Sequence, residues 1–318
     1  LPADASLVPP SLALKITAIK TPRGKKSSKA AGTTRKRKDT VARSAKKAKK
    51  SSKSQAKHSL FLSPSKVKSK KVKRAFGEAE KVTEFIKGMT DAMRKTGTKK
   101  PIFYNMSHAV QYMDNYFKGN VQGGTFQWYP TGLTYGSELS GNLLPNVNDY
   151  NMPFSDIIKQ NNGVKIVYEF DAADVGKSYI YPAMARSFRS AGIQIATHFA
   201  YDPTYLAPFN TEYNTHYMNL NFTPSKALAL KISSEVFHEI PMNSEFGQYP
   251  QNLSFDNFKV SYVNDVAEYN SDEKFFYTNS TNSIPKTEKS LKEIAGFGNS
   301  SVIKYDGVGA YFLDKIDK

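Results

Sequence analysis

Four short apolar runs, each ending in polar or aromatic residues and followed by further structured sequence, constrain this chain most: residues 101–107, 123–128, 164–170 and 192–199. The clearest lies within 163–174, GVKIVYEFDAAD. Val164, Ile166, Val167 and Tyr168 form a β-branched and aromatic run of the kind that fills a strand buried on both faces, as in a parallel sheet. The run stops at Glu169, Phe170 and Asp171, so carboxylates stand where the apolar strand ends. Helix-compatible sequence at 181–190 and a second apolar strand at 192–200 complete a strand–helix–strand unit. In parallel α/β folds the carboxyl ends of the strands form the reactive face. Glu169 is therefore read as a site carboxylate, with a structural ion pair or solvated loop residue as the competing reading. A unit of about 40 residues matches an eightfold (β/α) barrel, and four units make half of one.

Charge divides the chain sharply. Residues 1–77 hold 23 of the 45 Lys and Arg but only Asp4 and Asp39 of the 28 acids; 22 basic and 26 acidic residues, net −4, remain in 78–318. The overall charge of +17 is thus no signature of the folded part. From Lys20 to Arg74 the composition is Lys, Arg, Ser, Ala and Thr, which cannot build a packed core, and disorder is expected. This segment, 20–74, reads either as a polyelectrolyte arm that releases counterions from a nucleic acid or other polyanion, or as a solvated insertion. The 318 residues, with 19 Tyr and 20 Phe, support two domains or one with appendages. No cysteine is present, which removes disulfides, thiol nucleophiles and thiolate metal sites. No run reaches the roughly 18 apolar residues of a spanning helix. No basic-then-apolar leader follows Leu1.

Along the rest of the chain, Ala79, Val82, Phe85, Ile86, Met89 and Met93 recur at helical spacing and predict a helix over 78–95, stopped by Gly97. Another helix is expected over 108–118. Long polar-aromatic loops follow at 131–154 and 203–217, lengths that suit a functional rim. A helix at 224–238 opens on Pro224, which fits a first turn. After Phe255 the texture turns to alternation at 258–262, 274–278, 301–305 and 309–313, read as antiparallel strands of a small β-domain.

The strand ends present Asn105, His108, Trp128, Tyr129, Glu169, Asp171, His198 and Tyr201. Aromatic rings beside carboxylates and amides suit sugars: rings stack on apolar sugar faces, and carboxylates take hydroxyls and move protons. Trp128, Tyr129 and Tyr201 are the expected stacking platforms. Glu212 and His216 are four apart but lack a third partner at metal-ligand spacing, so no metal is assigned. Gly296-Phe297-Gly298 lies among predicted strands and is no phosphate loop. No cofactor is called for.

Taken together, PIFYNMSH, GGTFQWYPTGL, GNLLPNVNDY, IVYEFDAAD, YPAMARSFRSAGIQIATHFAYDP and NTEYNTHYMNL resemble the C-terminal half of the barrel in retaining, clan A type (β/α)8 glycoside hydrolases, especially the secreted glycosidases of polysaccharide-degrading bacteria. The resemblance spans about residues 78–240. VIKYDGVGAYFLDK, further on, resembles the start of their C-terminal β-sandwich. It implies a partial (β/α)8 barrel at 78–240, an incomplete sandwich at 241–318 and a basic low-complexity segment at 1–77. It implies that Glu169 is the nucleophile, that Tyr129 orients it, and that Asn105 and His108 line a sugar subsite. Asp171, His198, Tyr201 and Glu212 complete the expected substrate-binding set. The clan's acid/base is a Glu following an Asn, and no Asn-Glu pair occurs in this chain. The common eighth-strand Trp is absent too; Ile195, His198 and Phe199 occupy that run. The expectation is a fragment of a longer enzyme, inactive alone and secreted, periplasmic or cell-surface. A carbohydrate binder without catalysis, or a polyanion binder working through 20–74, stand as alternatives.

Overall fold

The structure, a computed structural model, describes residues 14–18, 69–106, 109–152, 155–209 and 218–316. Most of the basic segment 20–74, with His108 and Glu212, lies outside them. The chain divides into two compact units, residues 1–21 with 79–318, and residues 22–78. Described residues of the second unit belong to the start of α1 (Ser69–Lys95), a helix that begins earlier than its apolar periodicity predicts.

The larger unit holds two sheets. Four strands, β2 (Phe103–Asn105), β3 (Gly123–Trp128), β4 (Val164–Phe170) and β5 (Ile195–His198), form an all-parallel sheet in chain order. The intervening chain supplies α2 (Met113–Lys118), α3 (Ser155–Gln160) and α4 (Ile180–Ser190). Helix α3 is a single turn and a half ahead of β4; its sequence, SDIIKQ, is too short for helical periodicity to stand out, and the sequence reading assigns no element to it. Strand β3 opens on Gly123 because a Cβ there would overlap the Val164 carbonyl oxygen and the Phe103 ring. Bare backbone is what lets three strands close up at that point.

Helix α4 is buried almost throughout, including Arg186 (1% exposed) and Arg189 (9%). A helix enclosed all round is a core element rather than a surface one. Its arginines are tolerated because they are hydrogen-bonded: Arg189 Nε donates to the Ile240 carbonyl at 2.7 Å, and Arg186 Nη1 to that of Asn252 at 2.7 Å. Burial lowers the Arg186 pKa to about 10, with Asp149 opposing. Gly192, at φ +74°, ends the helix, its N–H donating to the Arg189 carbonyl. Helix α5 (Pro224–Glu239) packs along α4 and against the second sheet.

That second sheet is built from β6 (Ser254–Phe255), β7 (Phe258–Ser261), β8 (Val266–Asn270), β9 (Lys274–Tyr277), β10 (Glu293–Gly296) and β11 (Tyr311–Lys315), with β1 (Leu14–Ala18) added at the β11 edge. The antiparallel expectation needs correction: β9 and β10 run parallel, so the sheet is mixed. The crossover 278–292 makes this possible, since parallel neighbours need a long connection. Residues 301–305 are not a strand. Val302 and Ile303 are both buried, which breaks alternation, and the Ser300 hydroxyl accepts from both of their N–H groups in a local turn. The strand in that region is β10, whose EIAG is too short to announce itself. Strands β6–β11 with β1 thus make a single mixed sheet, with a large aromatic core on one side and a smaller cluster of Phe275, Tyr277, Leu291, Ile294, Tyr311 and Leu313.

Candidate functional site

All four parallel strands point the same way, so the residues after β2, β3, β4 and β5 gather at one edge of the sheet. Strand β4 carries an irregularity there. Val167 pairs with Phe126, but the next pair is Glu169 with Gln127; Tyr168 is skipped. On the other side the β5 register also slips between Val167 and Phe170. An extra residue of this kind is a β-bulge, which turns side chains out of strict alternation and is common beside functional sites.

Around the bulge, side chains sort into two groups. Phe170 and its partner Trp128 face α4: both rings lie edge-on to Phe188, at 5.1 and 5.0 Å between centroids, and Trp128 also meets Tyr150 at 4.8 Å. Trp128 is thus half-buried in the aromatic layer between sheet and helix. Glu169 instead accepts a hydrogen bond from the Tyr129 hydroxyl, 2.5 Å to Oε1. Burial raises the Tyr129 pKa, and Glu169 raises it further, so the phenol keeps its proton and acts as donor. Asn105, at the end of β2, donates through Nδ2 to the Tyr168 hydroxyl at 3.1 Å. The Thr197 hydroxyl of β5 donates to the Tyr168 carbonyl, tying the bulge to the neighbouring strand. Asn105, Tyr129, Tyr168 and Glu169 are thereby linked as two hydrogen-bonded pairs on consecutive residues.

Asp171 and His198 belong to a different environment. Asp171 is fully buried, and its Oδ1 accepts from the Tyr181 hydroxyl at 2.7 Å and lies 3.0 Å from His198 Nε2. Tyr181 is equally buried, and burial and Asp171 together push its pKa well up. Lys226, 4% exposed, faces the Tyr181 ring at 5.6 Å. Burial lowers the Lys226 pKa, while Asp171 and Asp202 oppose the shift. The set is an internal polar cluster that joins β4, β5, α4 and the start of α5. If Asp171 holds the Nε2 proton, the His198 tautomer leaves Nδ1 as an acceptor, and that buried atom has no partner among the described residues.

Of the residues singled out in the sequence, Asn105, Tyr129 and Glu169 come together with Tyr168, while Asp171 and His198 pair with each other. Tyr201 is 52% exposed on the loop after β5, its hydroxyl accepting from the Leu220 N–H at 3.0 Å. His108 and Glu212 fall outside the described residues. Sequence reasoning missed Tyr168, Tyr181 and Lys226. Tyr168 reads as an ordinary strand aromatic until the bulge is known, and Lys226 reads as a surface lysine in an amphipathic helix. Among the described residues, no three His, Asp or Glu are placed to hold a metal ion, and no helix is long and apolar enough to cross a membrane.

The class that fold and site define is a mixed α/β protein with a carboxylate-bearing edge on a parallel sheet. Comparison with protein-family models, curated proteins and solved structures finds no match to this chain.

Proposed function

We propose that the Glu169 edge is the nucleophile half of a retaining glycosidase site, and that the parallel sheet is the second half of a (β/α)8 barrel. The observation that carries the reading is the Tyr129–Glu169 pair at the carboxyl end of β4, 2.5 Å from phenol to carboxylate. A protonated phenol held against one carboxylate oxygen fixes its direction, which a nucleophile attacking an anomeric carbon requires. The chain-order adjacency of the four parallel strands supports the barrel reading.

In the proposed reaction, Glu169 attacks the anomeric carbon of a bound oligosaccharide as a general acid protonates the departing oxygen. Water, activated by the same acid/base group, then hydrolyses the glycosyl–enzyme ester. Retaining chemistry sets the two carboxyl groups about 5–5.5 Å apart. Asp171 does not suit the acid/base role, being enclosed by Tyr181 and His198. We assign that role to a carboxyl on polypeptide that completes the barrel against this sheet. In the completed enzyme, Glu169→Gln should lower turnover by a factor of about a thousand or more while sugar binding survives, because amide and carboxylate are similar in size. Azide added to Glu169→Ala should restore part of the rate by occupying the vacated position. Near-normal turnover in Glu169→Gln would remove Glu169 as nucleophile.

A further inference from the structure

The bulge in β4 places a second polar group beside Glu169 that the catalytic scheme does not use. In a regular strand, Tyr168 and Glu169 would point to opposite faces. Here Tyr168 is the residue left out of register, and its phenol reaches across β3 to Asn105. A phenolic oxygen both accepts and donates. Its acceptor capacity is engaged by Asn105 Nδ2 at 3.1 Å, and among the described residues nothing accepts the Tyr168 O–H. The side chain is only partly buried. Asn105 thus holds the ring by its oxygen and leaves the proton available for an acceptor outside the protein, next to the carboxylate.

We propose that Tyr168 is a ligand-binding residue of the Glu169 site, its O–H donating to a hydroxyl or ring oxygen of a bound saccharide, with Asn105 as the positioning residue. The proposal rests on the saccharide reading of the site. It adds a polarity requirement: the sugar unit beside Glu169 must present an acceptor oxygen to Tyr168. A phenol well placed to donate contributes specificity, because a ligand lacking that oxygen leaves the donor without its partner. The bulge gives the arrangement its economy, since one extra residue brings carboxylate and phenol to the same edge on adjacent positions.

The test is isothermal titration calorimetry on the full chain with four tetrasaccharides of different backbone: cellotetraose, laminaritetraose, mannotetraose and xylotetraose. Tyr168→Phe, Asn105→Ala, their double variant and Glu169→Gln are measured beside it. Tyr168→Phe removes one oxygen and should leave the thermal midpoint unchanged. It should weaken the tetrasaccharide that binds by about five- to tenfold, the scale of one hydrogen bond. Asn105→Ala should weaken it less, and the double variant no further than Tyr168→Phe, because Asn105 acts through the phenol. Binding within about twofold of the parent in a folded Tyr168→Phe protein would overturn this assignment and leave the Glu169 reading standing. Full additivity in the double variant would overturn the positioning role of Asn105. Failure of the folded parent to bind any of the four would overturn both the site reading and the assignment built on it.

Discussion

At the scale of the residue, two carboxylates two positions apart have opposite fates. Glu169 pairs with one phenol at a strand end, whereas Asp171 is sealed beneath the surface with Tyr181, His198 and Lys226 around it. Burying a carboxylate and an ammonium is costly unless each finds partners, so removing the charge at the centre of such a cluster is strongly destabilising. Asp171→Ala removes the acceptor of the Tyr181 hydroxyl, the carboxylate beside His198 and one of the two charges that oppose the lowering of the Lys226 pKa. It should cost about 3 kcal/mol or more of stability, measured as a fall in the urea midpoint. Tyr181→Phe, which keeps the ring and removes one bond, should cost only about 1 kcal/mol. Equal, small effects from both would show that Asp171 is not the centre of the cluster. From sequence alone, both acids look like strand-end site residues; solvent access tells them apart, and only packing sets that.

At the scale of the element, α4 shows how a helix is held by the chain around it. Tyr179, the residue at the N-cap position before Ile180, provides no side-chain cap. The N–H groups of Ser178 and Tyr179 instead donate to Oδ1 of Asp265, at 2.6 and 3.2 Å, and the Ser178 hydroxyl donates to the same oxygen at 2.9 Å. Asp265 sits in the β7–β8 turn at φ 50°, a left-handed conformation that Asp and Asn accept. One turn residue of the second sheet therefore serves as the missing helix cap, and its charge suits the positive end of the helix. Asp265→Ala removes the cap and meets backbone strain, for an expected loss of about 2 kcal/mol. Asp265→Asn keeps the conformation and one acceptor and should lose about 1 kcal/mol or less. Chemical denaturation orders the two variants; the reverse order would show that the contact is not a cap. No sequence rule for helix starts reaches 87 positions along the chain to Asp265.

At the scale of the whole molecule, the core is rich in tyrosine. Tyr150, Tyr179, Tyr181, Tyr277 and Tyr311 are all buried, and burial raises the pKa of each above the usual 10.0. Tyr277 and Tyr311 are hydrogen-bonded to each other within the smaller cluster. A phenol with a raised folded pKa binds its proton more tightly in the folded state than in the unfolded one. Its stabilising contribution is complete below pH 10.0 and is lost as the pH climbs from there toward the folded pKa. Stability should therefore fall steeply above about pH 10, with Tyr311→Phe flattening part of the slope. Urea midpoints recorded on either side of pH 10 check this, and a midpoint that does not move would contradict it.

The sequence by itself determined the strand-forming segments at 123–128 and 164–170, the helices at 181–190 and 224–238, and the strand ends as the place to look for chemistry. These follow from local signals: apolar run length, a Pro in the first turn, a Gly just past the last. Glu169 and Tyr129 were each legible as strand-end residues because they stand at the end of such runs, while their pairing was implied only by the family resemblance. Tertiary structure alone decided the rest. The bulge that sets Tyr168 beside Glu169 is a register slip between three strands, and register is a property of pairing rather than of one segment. The parallel β9–β10 pair depends on where a crossover returns, and the 301–305 run lost its strand to a serine-bonded turn. Trp128 was drawn into the α4 layer by Tyr150 and Phe188, because an aromatic ring goes where apolar area can be covered. Local sequence prescribes which backbone shape a segment prefers; which face each side chain finally shows is fixed by the partners that arrive from far along the chain.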